Sequence, residues 1–531
     1  MANLLFVSIL LSALEPTVSW QQVNDEGIDE KLNGMDIKNR DIYVTGVSYS
    51  SDSNIVVMVL CDSGSEKWLN LYGEPHKYEI GEDVAVLSSG NIAVTGWHES
   101  FPYAGWHTIW LDSLGEELYK NAMPTDPNGF TYNATSVVAG KVDTSFVGGW
   151  YGKPDWKGIR VAKYNPQGER MWRKFFDGEG YDKRVTLTLD VEGSVYALCE
   201  TRCTWTGWFS DGNTLSFIEE YNNMGAEGSA IRINSADHVF IAGDISQADR
   251  DFMLLKYNTD GNMLWPAHKA YDLGAEEECR DMALDAVSDC YLAGYQVSGE
   301  EENAAVVKTD SAGNMLWSWV NVAEGKQEIE AVEVDEEGFI YLAGSHHNGE
   351  DWDMMVMKLK QPLLVTGRVT DSAGKAMENV TVSVTGVTTL EVFTDTGGYY
   401  GIEVCNGTYT VAHDLPVWSF EPSSYEYSPL AHRMLGQDFS DGRYGSVQET
   451  DEIISFGFKL SPRTVSFSLP EASNVNLVLY DATGRMVRVL ARGLYTEGNH
   501  HVLLPELVPG VYFVKINAGD FAETNKVVIT R

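Results

Sequence analysis

The sequence is poor in basic residues, proline, cysteine and long apolar runs, and each shortage excludes a class of protein. Only 38 of 531 residues are Lys or Arg, against 77 Asp or Glu, so the formal net charge is −39. Such a surface repels the phosphates of nucleic acids and of anionic lipid headgroups, so we expect neither as a partner. Sixteen prolines exclude a collagen-like or proline-rich chain. Six cysteines without a C-x-x-C pair exclude a disulfide scaffold or zinc ribbon, although Cys199 and Cys203 are close enough in sequence to bridge.

Apolar residues are concentrated near the amino terminus, from Leu4 to Leu14. The small residues Thr17 and Ser19 then occupy the −3 and −1 positions of a cleavage site before Trp20. This pattern predicts that residues 1–19 are a signal peptide, although no Lys or Arg precedes the apolar run. No other segment approaches the roughly 20 apolar residues of a membrane-spanning helix. We therefore expect a protein without a membrane span that is secreted or held at a cell surface.

The sequence is instead rich in a repeated unit, a short β-branched strand that ends in Gly. One residue of each such strand is called the marker residue: it is the last residue of the strand, except in the third repeat, where it is the first glycine of SFVGG. The seven strands are IYVTG, IAVTG, SFVGG, VYALC, VFIAG, CYLAG and IYLAG, with markers at Gly46, Gly96, Gly148, Cys199, Gly243, Gly294 and Gly344. The spacings between markers are 50, 52, 51, 44, 51 and 50 residues. A period near 50 residues that contains only short strands and turns predicts four-stranded propeller blades.

Each repeat contains signals for four strands, and two repeats are exceptions. A turn Gly precedes the fourth strand, and an aromatic follows it by four residues, as in Gly313 and Trp317. In the fourth repeat Gly225 has no such aromatic, which predicts a shortened outer hairpin. The seventh repeat lacks its fourth strand, whereas residues 19–23 resemble that strand of the sixth repeat. We therefore predict that the first strand of the mature chain completes the last blade and closes the ring.

The repeats resemble bacterial propeller repeats of the SBBP type. Those read D-x-x-G-x-x-Y and then K-Y-x-x-x-G-x-x-x-W, and Phe252 to Trp265 and Ala305 to Trp317 match the second part most closely. The resemblance implies a propeller over residues 20–360, and it says little about activity because one fold hosts many functions.

Two smaller β-rich segments follow once the period ends at Gln361. Residues 361–440 contain G-x-V-x-D-x-x-G from Gly367, T-D-x-x-G-x-Y from Thr394 and N-G-x-Y from Asn406. They resemble the carboxypeptidase regulatory-like β-sandwich, which implies a spacer or adhesive module without catalysis. We predict that residues 441–460 are a linker and the first strand of the tail.

Residues 461–531 differ in charge from everything before them. They carry seven basic and six acidic residues, so this segment is +1 while the remainder is −40. A strand ending in Asp481-Ala482-Thr483-Gly484-Arg485, the run Leu507 to Val514 and a final Lys526 to Arg531 resemble the C-terminal sorting domain of the type IX secretion system of Bacteroidetes-like bacteria. The resemblance implies the type IX machinery as a partner and the cell surface or medium as destination. The predicted fold class is all-β, a seven-bladed β-propeller followed by two small β-sandwich domains.

Motifs of catalysis and cofactor binding are missing from the sequence. It contains no G-x-S-x-G, H-E-x-x-H, phosphate-binding loop or EF-hand loop. Quinoprotein propellers share the four-residue spacing between turn Gly and aromatic, and they are a minor alternative. We assign no catalytic residue, no metal and no cofactor. The acidic runs at residues 276–278 and 300–302 are interpreted as solvated turns, with weak calcium binding as the alternative.

The loops after the marker strands are rich in aromatic residues mixed with carboxylates. Rings beside carboxylates suit sugars and also protein partners, whereas the simpler interpretation is that the rings fill gaps between blades. The candidate ligand-binding residues are Trp97, Tyr103, Trp106, Trp150, Trp156, Trp205, Trp208 and Trp352. We therefore expect a non-enzymatic surface binding or adhesion protein with a glycan or protein ligand. A glycan-active hydrolase or lyase with two carboxylates about 5 to 10 Å apart is the main alternative.

Overall fold

The computed structural model describes most of the chain, which divides into two compact units between Arg443 and Tyr444. The described residues are 15–24, 27–49, 53–75, 77–100, 103–122, 131–153, 156–176, 184–200, 204–208, 212, 214–219, 221, 225–246, 249–413, 420–441, 457–460, 464–470, 472–496, 498–505, 507–519 and 521–529. In them no helix is long and apolar enough to cross a membrane.

Within the first unit, the described residues from Thr17 to Lys360 form seven antiparallel sheets of four strands, here called blades 1 to 7 in chain order. Blades 1 to 3 consist of Glu30–Lys38, Asp41–Tyr49, Ser53–Leu60 and Glu66–Tyr72; Tyr78–Val86, Ile92–Ser100, Tyr103–Leu111 and Glu117–Ala122; and Thr131–Ala139, Ser145–Lys153, Trp156–Tyr164 and Arg170–Phe176, with a 3₁₀ turn at Lys141–Asp143. Blades 4 and 5 consist of Val185–Leu189, Val195–Cys199, Thr204–Trp208 and Thr214–Glu219, and of Ala226–Ile233, His238–Ser246, Arg250–Asn258 and Lys269–Tyr271. Blades 6 and 7 consist of Glu276–Leu284, Cys290–Ser298, Glu301–Thr309 and Met315–Asn321, and of Lys326–Val334, Ile340–His347, Trp352–Lys360 and Thr17–Asn24. The predicted all-β fold and the seven-bladed propeller are confirmed.

The blades form a closed ring because each packs on the next through its own hydrophobic core. Seven such cores join blades 1 and 2, 2 and 3, and so on around to blades 7 and 1. Both faces of a blade are therefore buried, which explains continuous apolar strands such as Ile55–Leu60. The first strand of every blade faces a common central channel.

The strand Thr17–Asn24 supplies the outer strand of blade 7. It pairs antiparallel with Trp352–Lys360, and Trp20 is opposite Lys358. The Trp20 indole N–H donates to the Asp62 carbonyl of blade 1 at 2.9 Å, so this strand joins the two ends of the ring. The strand begins three residues before the predicted cleavage point, and residues 1–14 of the predicted signal peptide lie outside the described residues.

A β-bulge on the inner strand explains why the marker residue is glycine. In six blades the pairing of the first and second strands shifts by one residue next to the marker. A Cβ atom on Gly294, for example, would lie 1.9 Å from the Glu278 carbonyl oxygen, and five other glycines meet the same obstacle. Blade 4 pairs without a bulge and has Cys199 at the position. In blade 3 the equivalent glycine is Gly149, so the choice of Gly148 as marker was wrong by one residue.

The fourth blade has the shortened outer hairpin that the sequence predicts, but its turn glycine is a different one. Its outer strand is Thr214–Glu219, preceded by Gly212 at a φ of +88°, whereas Gly225 lies just before blade 5. The closer spacing between Cys199 and Gly243 reflects the third strand of blade 4, Thr204–Trp208, which has five residues where the third strand of blade 5 has nine.

The two recurring sequence motifs have structural roles. In D-x-x-G-x-x-Y, Asp335 accepts hydrogen bonds from two backbone N–H groups of its turn, and the Tyr341 hydroxyl donates to the same carboxylate at 3.0 Å. In the other motif the aromatic residue that follows the turn glycine packs against the turn glycine of the next blade. A Cβ on Gly313 would lie 2.9 Å from the Trp265 ring, and Trp20 stands in the same relation to Gly64.

A two-sheet sandwich follows the propeller within the same compact unit. Its sheets are Tyr399–Cys405, Pro362–Thr370, Phe439–Asp441 and Phe420–Glu421, and Leu390–Phe393, Thr381–Gly386, Gly407–His413 and Ser424–Leu430. The junction depends on the fully buried Gln361. Its amide N–H donates to the Gly338 carbonyl at 2.6 Å, and its Oε1 accepts from Lys308 Nζ and the Tyr291 hydroxyl, each at 2.9 Å. Arg433 of the sandwich adds a 3.0 Å ion pair with Asp289 of blade 6.

The second compact unit is another β-sandwich. One sheet contains Gly457–Leu460, Thr464–Leu469 and Gly498–Leu503, and the other Met486–Tyr495, Ser473–Asp481, Gly510–Ala518 and Phe521–Ile529. A single core around Phe467, Leu477 and Val514 joins the two sheets. Both sandwiches of the predicted fold class are thus present.

Candidate functional site

The inner-strand bulges place a set of side chains around one mouth of the central channel. In blades 1, 2, 3, 5, 6 and 7 the bulge residues are Asn33, Glu82, Thr135, Ser229, Arg280 and Glu330. All six line the channel or the cavity of about 340 Å³ at its mouth, the size of a small-ligand pocket. Since each repeat supplies one bulge residue, the chemistry of the mouth changes from blade to blade while the backbone stays similar.

The short neutral bulge residues connect adjacent blades. Asn33 Nδ2 donates to the Gly81 carbonyl of blade 2 at 2.8 Å, and Thr135 Oγ1 donates to the Val185 carbonyl of blade 4 at 2.8 Å. Ser229 Oγ donates to the Cys279 carbonyl of blade 6 at 2.6 Å. These bonds fix the inner ring, so the charged bulge residues are presented on a rigid frame.

The charged bulge residues belong to an ion-pair network. Arg280 lies 2.5 Å from a Glu278 oxygen and 3.4 Å from Glu330, and its guanidinium donates to the Tyr295 hydroxyl at 2.8 Å. Arg250 pairs with Glu278 at 2.8 Å, and Arg184 lies 3.6 Å from Glu330. In such a network the guanidinium groups provide hydrogen-bond donors and the carboxylates provide acceptors, all in fixed positions. This mouth is suited to a polar ligand.

Glu82 completes the network from the side of blade 2. It accepts a hydrogen bond from the Trp97 indole N–H at 2.9 Å. Burial raises the pKa of Glu82, an effect that the positive charge of Arg184 partly offsets. Glu200, Glu227 and Trp150 line the same cavity. The mouth therefore contains five glutamates, three arginines and one indole from blades 2 to 7, together with Asn33 from blade 1.

Deeper in the channel, several carboxylates surround one arginine. Arg232 Nη2 lies 2.9 Å from Asp281 and 3.9 Å from Glu333. Burial raises the pKa of Glu333 to about 8 and that of Asp83 to about 7. Asp83 also accepts a 2.8 Å hydrogen bond from the Val137 amide of blade 3, and so holds two blades together. The channel interior is thus a protonatable, strongly polar cavity of about 320 Å³.

The structure separates the eight candidate aromatic residues into different environments. Trp150 lines the mouth cavity, and Trp97 donates a hydrogen bond to Glu82, which also lines it. Trp352 is half-buried, with Lys31 Nζ 3.7 Å from its ring centroid. Trp106 and Trp205 are 0% exposed and belong to the cores between blades 2 and 3 and between blades 4 and 5. A ligand-contacting role for those two rings is wrong, because the gap-filling alternative applies to them.

The side chains of the other three candidates, Tyr103, Trp156 and Trp208, lie outside the described part of the structure. So does Cys203, whereas its proposed disulfide partner Cys199 is buried in blade 4. His346 and His347 have different neighbours: His346 Nε2 contacts the Glu324 carbonyl, and the His347 ring meets Trp352 edge-on.

Sequence reasoning missed the bulge residues, and it named only Trp97 and Trp150 at the position directly after the marker. That position holds Trp97, Trp150, Glu200, Asp244 and Tyr295 in blades 2 to 6. All five line the mouth or bond to residues of the inner strands. The sequence does contain a signal for these residues. A marker glycine indicates a bulge on the neighbouring inner strand, so the residue directly after the glycine is predicted to lie at the channel.

Comparison with known proteins identifies the last segment of the chain. The family model described as a secretion system C-terminal sorting domain matches residues 461–530. No curated protein matches the chain. The class of protein is therefore an exported β-propeller that is recognised by the type IX secretion machinery and is secreted or attached to the surface.

Several solved structures are similar to this chain. One is a protein of unknown function from Bacteroides caccae, with 12% identity over 55% of this chain and 94% of that one and a TM-score of 0.36. YCF48 bound to D1 peptide has 11% identity over 65% and 99%, with a TM-score of 0.40. The polysaccharide lyase Uly1 has 9% identity over 62% and 89%, also with a TM-score of 0.40.

Proposed function

We propose that this exported propeller is a non-enzymatic glycan-binding protein whose ligand occupies the mouth of the central channel. The observation that carries the proposal is the cavity of about 340 Å³ on the ring axis, lined by Glu200, Glu227 and Glu330 with Arg184 and Arg250. Carboxylates accept hydrogen bonds from sugar hydroxyls, guanidinium groups donate to ring and hydroxyl oxygens, and Trp150 offers a face for stacking.

The charge of the protein favours a sugar over a polyanion or a membrane. A formal charge of −39 repels anionic partners at long range, whereas neutral sugars are unaffected. The site is also concave and polar, unlike a flat aromatic platform, because Trp106 and Trp205 are buried. We place the ligand in the mouth, therefore, instead of across the outer loops.

The remaining parts of the chain serve delivery in this proposal. Residues 1–19 are removed on export, and the sandwich that resembles a carboxypeptidase regulatory-like domain acts as a spacer. The sorting segment, residues 461–531, directs the protein to the secretion machinery. Gln361 and Arg433 support the spacer role, since they fix the sandwich to the propeller through buried polar contacts.

A glycan array with the full mature chain tests the proposal. We expect binding to a defined set of glycans, and the variants Trp150→Ala and Arg184→Ala weaken it at least about tenfold, as for the loss of a well-placed polar or stacking contact. Trp352→Ala is the matched control, an indole outside the mouth lining. Loss of binding in Trp352→Ala with full binding in the other two variants would place the ligand on the outer loops and refute the mouth as its site.

A glycan-active hydrolase or lyase is the second candidate, and one observation favours it. Burial raises the pKa of Glu82 beside Arg184, and a carboxyl group with a raised pKa can serve as general acid. Incubation with each array-positive glycan distinguishes the two. New reducing ends that disappear in Glu82→Gln indicate an enzyme, and intact glycans indicate a binding protein.

A further inference from the structure

A cluster of three carboxylates lies where blade 5 passes into blade 6. Asp251 belongs to the third strand of blade 5, Asp272 directly follows its outer strand, and Glu277 is the second residue of the inner strand of blade 6. One carboxylate oxygen from each lies within 4.8 Å of the other two. Three negative charges at this separation repel one another unless protons or a cation neutralise them.

The fully buried residue of this cluster has an oxygen without a partner. Glu277 is 0% exposed, and its Oε1 accepts from Gln296 Nε2 at 3.2 Å and from the Ala275 amide at 3.3 Å. Its Oε2 is buried and accepts no hydrogen bond. A buried carboxylate oxygen without a hydrogen bond is costly, so it requires a proton or a ligand.

The surroundings provide no basic side chain that meets this requirement. Among the described residues, no Lys, Arg or His lies within ion-pair distance of Asp251, Asp272 or Glu277. Burial raises the pKa of both Asp251 and Glu277, and the charge of Asp272 raises that of Asp251 further. The nearest arginine in sequence, Arg250, is paired with Glu278 at the channel mouth instead.

We propose that Asp251, Asp272 and Glu277 bind a calcium ion that links blade 5 to blade 6. The ligand atoms are all carboxylate oxygens, the donors of a hard cation, and the cluster contains no nitrogen or sulfur ligand for zinc, copper or iron. Asp272 is exposed, which gives the ion a route from solvent, while Glu277 closes the inner side.

Local geometry supports a fixed position for the exposed ligand. Asp272 Oδ1 accepts a 2.6 Å hydrogen bond from the Gly274 amide, and Gly274 has a φ of +94°, which closes a tight turn between the two blades. Calcium accepts irregular coordination of six to eight oxygens, so water fills the positions that the three carboxylates leave. For an extracellular module we expect a dissociation constant of about 0.1 to 1 mM.

Isothermal titration calorimetry of the full chain with CaCl₂, after chelator treatment, tests this site. We expect one saturable event per chain in that range, and binding of Mg²⁺ weaker by about tenfold. Asp272→Asn and Glu277→Gln should each weaken calcium binding at least about tenfold, since each removes one charge from the ligand set. Asp272→Asn keeps the test valid if Glu277→Gln folds poorly, because Asp272 is exposed.

Glu276→Gln is the matched control. Glu276 is exposed on the same strand and outside the cluster, so its variant removes the same charge without removing a ligand. We expect its calcium binding to stay within about twofold of the original chain. The site is refuted by an absence of saturable binding, by tighter binding of Mg²⁺ than Ca²⁺, or by equal losses in Glu276→Gln and Asp272→Asn.

Discussion

Replacement of Gly294 by alanine tests how the propeller frame positions its channel residues. A Cβ at this position would lie 1.9 Å from the Glu278 carbonyl oxygen and 3.0 Å from its carbonyl carbon. Relief of this contact requires the inner strand to move by more than about 1 Å, because carbon–oxygen contacts below about 3 Å are repulsive. The strand must then give up the bulge that presents Arg280 to the channel mouth.

The expected destabilisation follows from these contacts. Backbone strain of this kind costs about 1 to 3 kcal/mol, and the loss of two ladder hydrogen bonds at about 1 kcal/mol each adds to it. We expect a total of about 3 to 5 kcal/mol. The blades span Thr17–Lys360, about 340 residues, and at about 2.1 cal/mol/K per residue their unfolding entropy is about 0.7 kcal/mol/K. The melting temperature of the propeller should therefore fall by about 5 °C.

Differential scanning calorimetry of the full chain measures this shift, and Cys199→Ala is the matched control. Cys199 occupies the marker position of blade 4, where the pairing has no bulge, so a Cβ is tolerated there. Removal of its sulfur should cost only about 1 kcal/mol. An unchanged melting temperature in Gly294→Ala, or an equal loss in Cys199→Ala, would show that the bulge does not require glycine.

Three further outcomes follow from the same structure. Trp20→Ala should lower the stability of the propeller by about 3 kcal/mol, because packing and one hydrogen bond are lost. In the control Leu71→Ala, whose side chain is 52% exposed on another outer strand, the change should stay within about 0.5 kcal/mol. Equal melting temperatures of the two variants would argue against closure of the ring by the first strand. Burial raises the pKa of Glu333 to about 8, so between about pH 4 and pH 8 the folded state keeps a proton on Glu333 that the unfolded state releases. The stability of the folded state should therefore fall as the pH rises through this range. If the melting temperature of Glu333→Gln depended on pH as steeply as that of the original chain, this assignment would be wrong. Gln361→Ala removes three buried hydrogen bonds, to Lys308, to the Tyr291 hydroxyl and to the Gly338 carbonyl. At about 1 kcal/mol each they should cost about 3 kcal/mol, visible in calorimetry as a sandwich transition separated from that of the propeller. A single unchanged transition would refute the junction.

The ring could be predicted from the sequence because its signals are local. Turn glycines, β-branched strands and a period near 50 residues depend on short segments, and the similarity of residues 19–23 to Leu316–Val320 indicated the missing strand. The sorting segment was recognisable for the same reason, since its motifs occur in order within 70 residues.

The site was harder to predict because propeller strands are buried on both faces. Alternation then gives no information on which aromatic residue is exposed, and Trp106 and Trp205 were taken as ligand contacts although both are 0% exposed. The ion pairs of Arg280 and Arg184 join residues from different blades, which no local pattern reports. The turn in blade 4 was misplaced because its strands are shorter than those of the other blades.

A crystal structure of the full chain with an array-selected glycan tests the central claim most directly. We predict a sugar ring in the channel mouth, against Trp150 and within hydrogen-bond distance of Arg184 and the mouth glutamates. A glycan bound on the outer rim of the blades, with the mouth filled by water alone, would contradict the account.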